Sequence, residues 1–470
     1  MKTGDRLLRA AFVSLAVGLA WSVRGDYGKV LGAMFPGAAL GLGFAYVSGQ
    51  RAMFKWMPLF GALGGLVISL GGEMSYGLLH AYASNTTFPN YSYGFFTLIL
   101  QGGAWGCFGC CVLGLLLEKE PLKAWEWAVA IGATVASGLV FWFLVVRLIG
   151  FNINPGKSNT SVAYTGGVIG LFVWLVSAKK RYGFKGALFG YIGFGLGMAG
   201  GRFLANVRDY STWKIGDWLV LQGLFSRFGN IMELIVGLIG GFIFTYGMLG
   251  KKAPDFPEDK IHYKLLSVGS IFYVMAGIPI LHRLLRATSP PVTGDDRMPR
   301  WTELLQRYGY ADPVGLAHKI PTLVTMVCVI GIVAAVLWLL WHFRNKYGFA
   351  AFPVLALTAL MIVIQNIDNQ YLFYPFRQAP GKMLIFPGIF VLMLLYVIFG
   401  KRPEVTEPDE VAEHVNWRRW VVGAVVAYLL IVVLSGPVNA GRSDKVPVEN
   451  MRFPVQARIE PEPTMWPSAR

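Results

Sequence analysis

Long apolar runs separated by short polar, often basic, connections fill this chain. Runs long enough to cross a bilayer fall near 7–23, 30–48, 57–80, 94–117, 124–147, 163–178, 185–204, 229–249, 265–285, 320–342, 349–366, 383–399 and 418–436. A helix rising 1.5 Å per residue needs roughly 17–25 apolar residues to span the hydrocarbon. The pattern therefore predicts an all-α integral membrane protein of about thirteen transmembrane helices. Residues 437–470 are polar, contain Pro and lack helical periodicity, which predicts an extended extracytoplasmic tail.

The basic clusters orient the helices. With the N-terminus inside, the inner connections carry Arg51 and Lys55, Lys119 and Lys123, Lys179 to Arg181 with Lys185, and Lys251, Lys252, Lys260 and Lys264. Arg344, Lys346, Lys401, Arg402, Arg418 and Arg419 complete the set, whereas 81–93 has no Lys or Arg. Excess positive charge inside predicts a plasma-membrane protein with its N-terminus cytoplasmic and its C-terminus extracytoplasmic. Arg-bearing outer segments at 283–319 and beyond 437 weigh little, because longer translocated segments contribute little to that rule. Lys2, Arg6 and Arg9 before the first run resemble a signal peptide. The internal repeat implies instead that the run is retained as the first span.

Shifted by 129 residues, 37–73 falls on 166–202 without a gap. Gly37, Gly41, Leu42, Val47, Ser48, Leu59, Phe60, Gly61, Gly64, Gly71 and Gly72 then meet Gly166, Gly170, Leu171, Val176, Ser177, Leu188, Phe189, Gly190, Gly193, Gly200 and Gly201. Packing glycines alone do not explain a register kept through the intervening loop. A fainter third copy repeats Tyr182-Gly183-Phe184 as Tyr347-Gly348-Phe349, and Tyr246 with Gly250-Lys251 as Tyr396 with Gly400-Lys401. This predicts three divergent four-helix units at 1–120, 121–258 and 259–405, an added helix in 406–436, and the tail 437–470. An even number of helices per unit makes the copies parallel.

Within this frame the copies differ where chemistry is expected. Gly71-Gly72 precedes Glu73, Gly200-Gly201 precedes Arg202, and the third copy offers Gln365, Asn366 and Asp368. Ionisable groups in spans are costly and mark functional sites unless they pair structurally or reach the interface. Glu73, Arg202, Glu233, Arg24 and Arg147 are the candidates for a substrate site near the outer face between units, flanked by Asp26 and Asp209. The glycine stripes 61–72 and 186–201 suit close helix packing, and alternatively a break that bares backbone to a solute. Tyr91, Tyr93, Tyr210, Trp213, Trp218, Tyr371, Phe373 and Tyr374 suit an aromatic belt or a stacking surface.

Composition narrows the classes. The chain has 470 residues, 55% of them hydrophobic and 14% charged, with a mean hydropathy of +0.51. Lipid must therefore be part of its solvent. The formal net charge of +16 sits in loops rather than in one patch, which argues against nucleic acid. Cys107, Cys110, Cys111 and Cys328 lie in apolar runs without His, Asp or Glu beside them, so core packing is expected rather than a metal. The six His show no metal or haem spacing, and neither HExxH nor GxSxG occurs. Asn85, Asn90 and Asn159 head glycosylation tripeptides. The expectation is transport of a small polar or anionic solute, sugar-like compounds included, with no cofactor. A membrane-embedded enzyme with Glu73 or Asp209 as base, and a non-catalytic subunit of a membrane complex, are the other classes. A homo-oligomer remains open.

Overall fold

The computed structural model describes residues 3–27, 29–50, 53–54, 56–73, 76–154, 160–210, 231–249, 299–367, 380–400 and 416–440. Among these every regular element is helical. In chain order they are α1 (Thr3–Tyr27), α2 (Lys29–Ser48), α3 (Met57–Leu70), α4 (Gly77–Ala83), α5 (Phe88–Leu115), α6 (Ala124–Trp142), α7 (Thr160–Ser177) and α8 (Arg181–Tyr210). Then follow α9 (Ile231–Met248), α10 (Pro299–Arg307), α11 (Pro313–His342), α12 (Arg344–Tyr347), α13 (Phe352–Ile367), α14 (Pro380–Phe399) and α15 (Trp417–Asn439). Short 3₁₀ turns occupy Gly71–Glu73 and Phe349–Ala351, and α6 continues as a π-turn over Phe143–Leu148.

Among the described residues six helices are long and apolar enough to cross a membrane: Thr3–Arg24, Phe88–Leu115, Ala124–Leu148, Thr160–Ser177, Arg181–Val207 and Trp417–Asn439. Six shorter apolar helices lie at Gly32–Ser48, Met57–Leu70, Met232–Met248, Ile330–His342, Phe352–Val363 and Ile385–Phe399. They match twelve of the apolar runs in the sequence, and the run 265–285 lies outside the described residues.

Many large apolar side chains of the described residues lie on the exterior. Val135, Leu139, Val327, Val422 and Val433 are all more than one-third exposed, along α6, α11 and α15. α1, α2, α3, α5, α8, α9 and α13 all contribute to the core, with Phe12, Phe35, Phe44, Trp21 and Trp105 fully enclosed. Oily faces turned outward around a packed helical core suit a membrane-embedded protein.

Glycine sets how closely the core helices approach. A Cβ on Gly106 of α5 would overlap the carbonyl oxygen of Gly190 on α8, and one on Gly190 would overlap that of Gly106. The other side of α8 meets α9, where a Cβ on Gly197 would lie 2.8 Å from the Val236 oxygen. With no hydrophobic effect between helices in lipid, such backbone-to-backbone packing supplies the dispersion contacts that hold them.

The aligned glycines of the two units meet different neighbours. Gly37 and Gly41 press on α3 at Gly64 and Phe60, whereas Gly166 and Gly170 press on α6 at Phe141 and Ser137. The shared Tyr-Gly-Phe triplet also diverges. Gly183 lies inside the first turn of α8, while Gly348 holds φ at +87°, a conformation that favours glycine. The helix α3 is broken after Leu70, whereas α8, which carries the aligned sequence, runs unbroken through Gly200-Gly201.

Antiparallel alternation leaves two ends. At the end bearing the chain's start, Arg9 donates to the Val47 carbonyl (2.7 Å) and pairs with Asp5 (3.1 Å), and Arg6 donates to that of Tyr246 (2.8 Å). Trp420 of α15 packs on Phe189 and Tyr246, which places Arg418 and Arg419 near this end too. Between α6 and α8, Lys180 pairs with Glu126 at 2.7 Å, and Glu126 also caps α6 by accepting from the Lys123 N–H. At the far end a buried polar knot joins three helices. Asn206 donates to the Ala83 carbonyl (3.0 Å) and to Asn439 Oδ1 (3.2 Å), while Asn439 donates to the carbonyls of Ala83 and Asn85 (both 3.0 Å).

Two glycosylation tripeptides lie in this region. Asn85 and Asn90 are both fully buried. Asn85 Oδ1 accepts from the Thr87 N–H (2.9 Å) and hydroxyl (2.8 Å) ahead of α5, and Asn90 donates to Thr87 Oγ1 (2.8 Å). A glycan on either would block folding. An Asn159→Gln chain made in a glycosylating host is expected to show no endoglycosidase-sensitive mass, and a mass shift in its folded fraction would contradict this placement.

Candidate functional site

The helix break positions the site. α3 has 14 residues, about 21 Å of rise, short of the ~30 Å hydrocarbon thickness. The single span read over 57–80 is instead α3, the 3₁₀ turn Gly71–Glu73, and α4. Local chemistry explains the break. The Trp105 ring occupies the space a side chain at Gly71 would need. The indole N–H of Trp105 donates to the Ile68 carbonyl, which also accepts from the Gly71 N–H in the tightened last turn of α3. Trp105 itself sits about 15 Å along α5 from Leu115 and about 26 Å from Phe88, so the break is well inside the bundle.

A charged group meets this break. Arg24 near the end of α1 is 6% exposed. Its Nη1 lies 3.3 Å from Glu233 Oε1 in the first turn of α9 and donates to the Tyr76 hydroxyl. Tyr76 in turn donates to Glu233 Oε1 at 3.4 Å. The guanidinium lies 4.7 Å from the Trp105 ring centroid and 5.2 Å from that of Tyr76. His80 packs on Tyr76 with ring centroids 4.9 Å apart. One turn beyond, Arg202 of α8 donates through Nε to the Ser84 hydroxyl (2.9 Å), which also lies 2.8 Å from the His80 carbonyl.

The candidates named from sequence are thus partly assembled. Arg24 and Glu233 meet, joining α1 to α9 inside the bundle. Arg202 stands close by on Ser84. Glu73 lies in the 3₁₀ turn of the break by its backbone, Asp26 in α1 and Asp209 in α8; their side chains fall outside the described residues. Arg147 is not brought in. It is exposed on the π-turn after α6, over the Trp142 ring at 5.4 Å, because α6 packs chiefly on α7.

Tyr76, His80, Trp105 and Gln101 are the members that the sequence reading passed over as a group. Gln101 carried a signal. It is a lone amide amid the apolar run 94–117. On the chain-start side the core holds packed rings: Trp21–Phe194 at 5.1 Å, Phe44–Phe244 at 5.3 Å and Phe12–Tyr46 at 5.3 Å. Among the described residues no three His, Cys, Asp or Glu side chains gather as a metal site. Cys107, Cys110 and Cys111 are buried free thiols.

Comparison with protein-family models, with curated proteins and with solved structures returns no match. Any reading of function therefore rests on the geometry of the break.

Proposed function

We propose that the chain is a multi-pass plasma-membrane protein that carries a small polar or anionic solute through the α3–α4 break. One observation carries this reading: a buried Arg24–Tyr76–Glu233 group stands where a helix is interrupted. Interrupted helices free backbone polar groups at depth, and transporters place substrate at such points. The ion pair joins α1 of the first unit to α9 of the second, so a solute that engages either partner alters how the two units hold together. The ring-filled half toward the chain start suits a closed inner gate in an alternating-access cycle. In this reading the chain start and the basic clusters near it face the cytoplasm. The apolar flanks of α6, α11 and α15 face lipid or a second membrane subunit.

Purified protein reconstituted in liposomes would be tested for counterflow of labelled sugars, organic acids and nucleosides. Tyr76→Phe removes only the hydroxyl that joins Arg24 to Glu233. It is expected to slow flux of the carried solute about tenfold, the effect of one hydrogen bond to charged groups. Unchanged flux in Tyr76→Phe, or none for any solute with folded wild-type protein, would overturn the proposal.

A further inference from the structure

The positions of α5 that face the break can be read from their partners. Gly94 lies against Ala83, Trp105 against Ile68 and Gly71, and Gly109 against Ile68. Residues 94, 101, 105 and 109 share one helical face, so Gln101 faces the segment from Gly71 to Ala83. The neighbouring positions Gly102, Gly103 and Gly106 face α8 instead, through Met198, Tyr191 and Gly190.

Gln101 is 3% exposed, and neither its amide nitrogen nor its amide oxygen has a hydrogen-bond partner among the described residues. The same holds for two other buried atoms facing this segment, His80 Nε2 and Arg24 Nε. Buried polar atoms are almost always paired, and an amide left bare costs about 1–3 kcal/mol. Four such atoms, on three residues beside one helix break, point to a ligand that completes them.

Resting on the transport reading above, we infer that this ligand is a neutral, hydroxyl-rich solute. The charge of Arg24 is already answered by Glu233 at 3.3 Å. The unpaired groups add no further net charge: an amide with donors and an acceptor, one imidazole nitrogen, and a single guanidinium N–H, with the Arg202 guanidinium held on Ser84 one turn away. Gln101 Oε1 needs a donor, which an ionised carboxylate does not possess and hydrogen phosphate has only once. An anion would also approach Glu233. A hydroxyl donates and accepts at once, so one polyol can serve Gln101 Oε1, Gln101 Nε2 and Arg24 Nε together.

The test is thermal unfolding of the full chain in detergent with D-glucose, mannitol or glycerol, against succinate and phosphate. Gln101→Leu is the main variant, and Gln101→Met is a straighter replacement should the branched chain not fit. Polyols are expected to raise the wild-type Tm. The variant is expected to have a higher Tm than wild type without solute, since a bare amide is gone, and to bind polyols about tenfold more weakly. Stabilisation by succinate or phosphate alone overturns the neutral class. Equal polyol binding by variant and wild type, or no polyol response at all, overturns the assignment of Gln101. Counterflow in liposomes separates this from the parent proposal. Binding without flux defeats transport and leaves the site, while flux of an anion untouched by Gln101→Leu does the reverse.

Discussion

Glu233→Ala is expected to destabilise the protein by about 3–5 kcal/mol, the effect of stranding one member of a buried ion pair. Arg24 is 6% exposed, and beyond Glu233 its neighbours in this site are the Tyr76 hydroxyl and the faces of Trp105 and Tyr76. Without the carboxylate its charge is left in a low-dielectric surround that a hydroxyl and two ring faces answer only in part. The double variant Arg24→Met/Glu233→Leu removes both charges and is expected to recover most of the loss. Unfolding in micelles, followed by tryptophan emission for wild type, both singles and the double, gives the coupling directly. A double variant no more stable than Glu233→Ala would mean that the pair is not what holds α1 to α9.

Gly106→Leu is the second large effect, at about 3 kcal/mol or more of lost stability. The obstacle is backbone. A Cβ at Gly106 meets the Gly190 carbonyl and the Phe194 ring, and the relation is reciprocal at Gly190. A side-chain clash relaxes by a rotamer change, whereas this one separates α5 from α8 along their length and disturbs the core. Gly132→Leu in α6 and Gly423→Leu in α15 are the controls, since a Cβ at either has nothing within 4 Å. Monodispersity in detergent and Tm should fall for Gly106→Leu and stay near wild type for the controls. Equal behaviour of all three would contradict the close approach of α5 and α8.

Helix positions were legible because hydropathy depends on local sequence. The run at 163–178 already predicts α7 at Thr160–Ser177, which proves long enough to count as a span. Depth and partnership were less legible. The run 57–80 reads as one span since Gly71, Gly72 and Gly77 are apolar enough to continue it, and the break depends on Trp105 arriving from another helix. Arg24 and Glu233 stood out as ionisable residues in spans, but pairing across 209 residues has no local signature. Tyr76 and His80 were hidden for the same reason, as their roles come from α1, α5 and α9 neighbours. The repeat predicted Glu73 and Arg202 as equivalent opposites. The helices around them differ, α3 broken and α8 continuous, so equivalence in sequence gave no shared neighbourhood.

The knot of Asn206, Asn439, Ala83 and Asn85 bears on biosynthesis. Asn439 emerges from the ribosome 233 residues after Asn206 and 354 after Asn85. Until then Asn206 and the carbonyl of Asn85 lack a partner that only α15 brings. A nascent chain inserted helix by helix therefore holds an unfinished far end through most of its translation, the kind of exposed polar surface that membrane chaperones and quality-control proteases recognise. Arrival of α15 is therefore expected to end the chain's time as a client at this end.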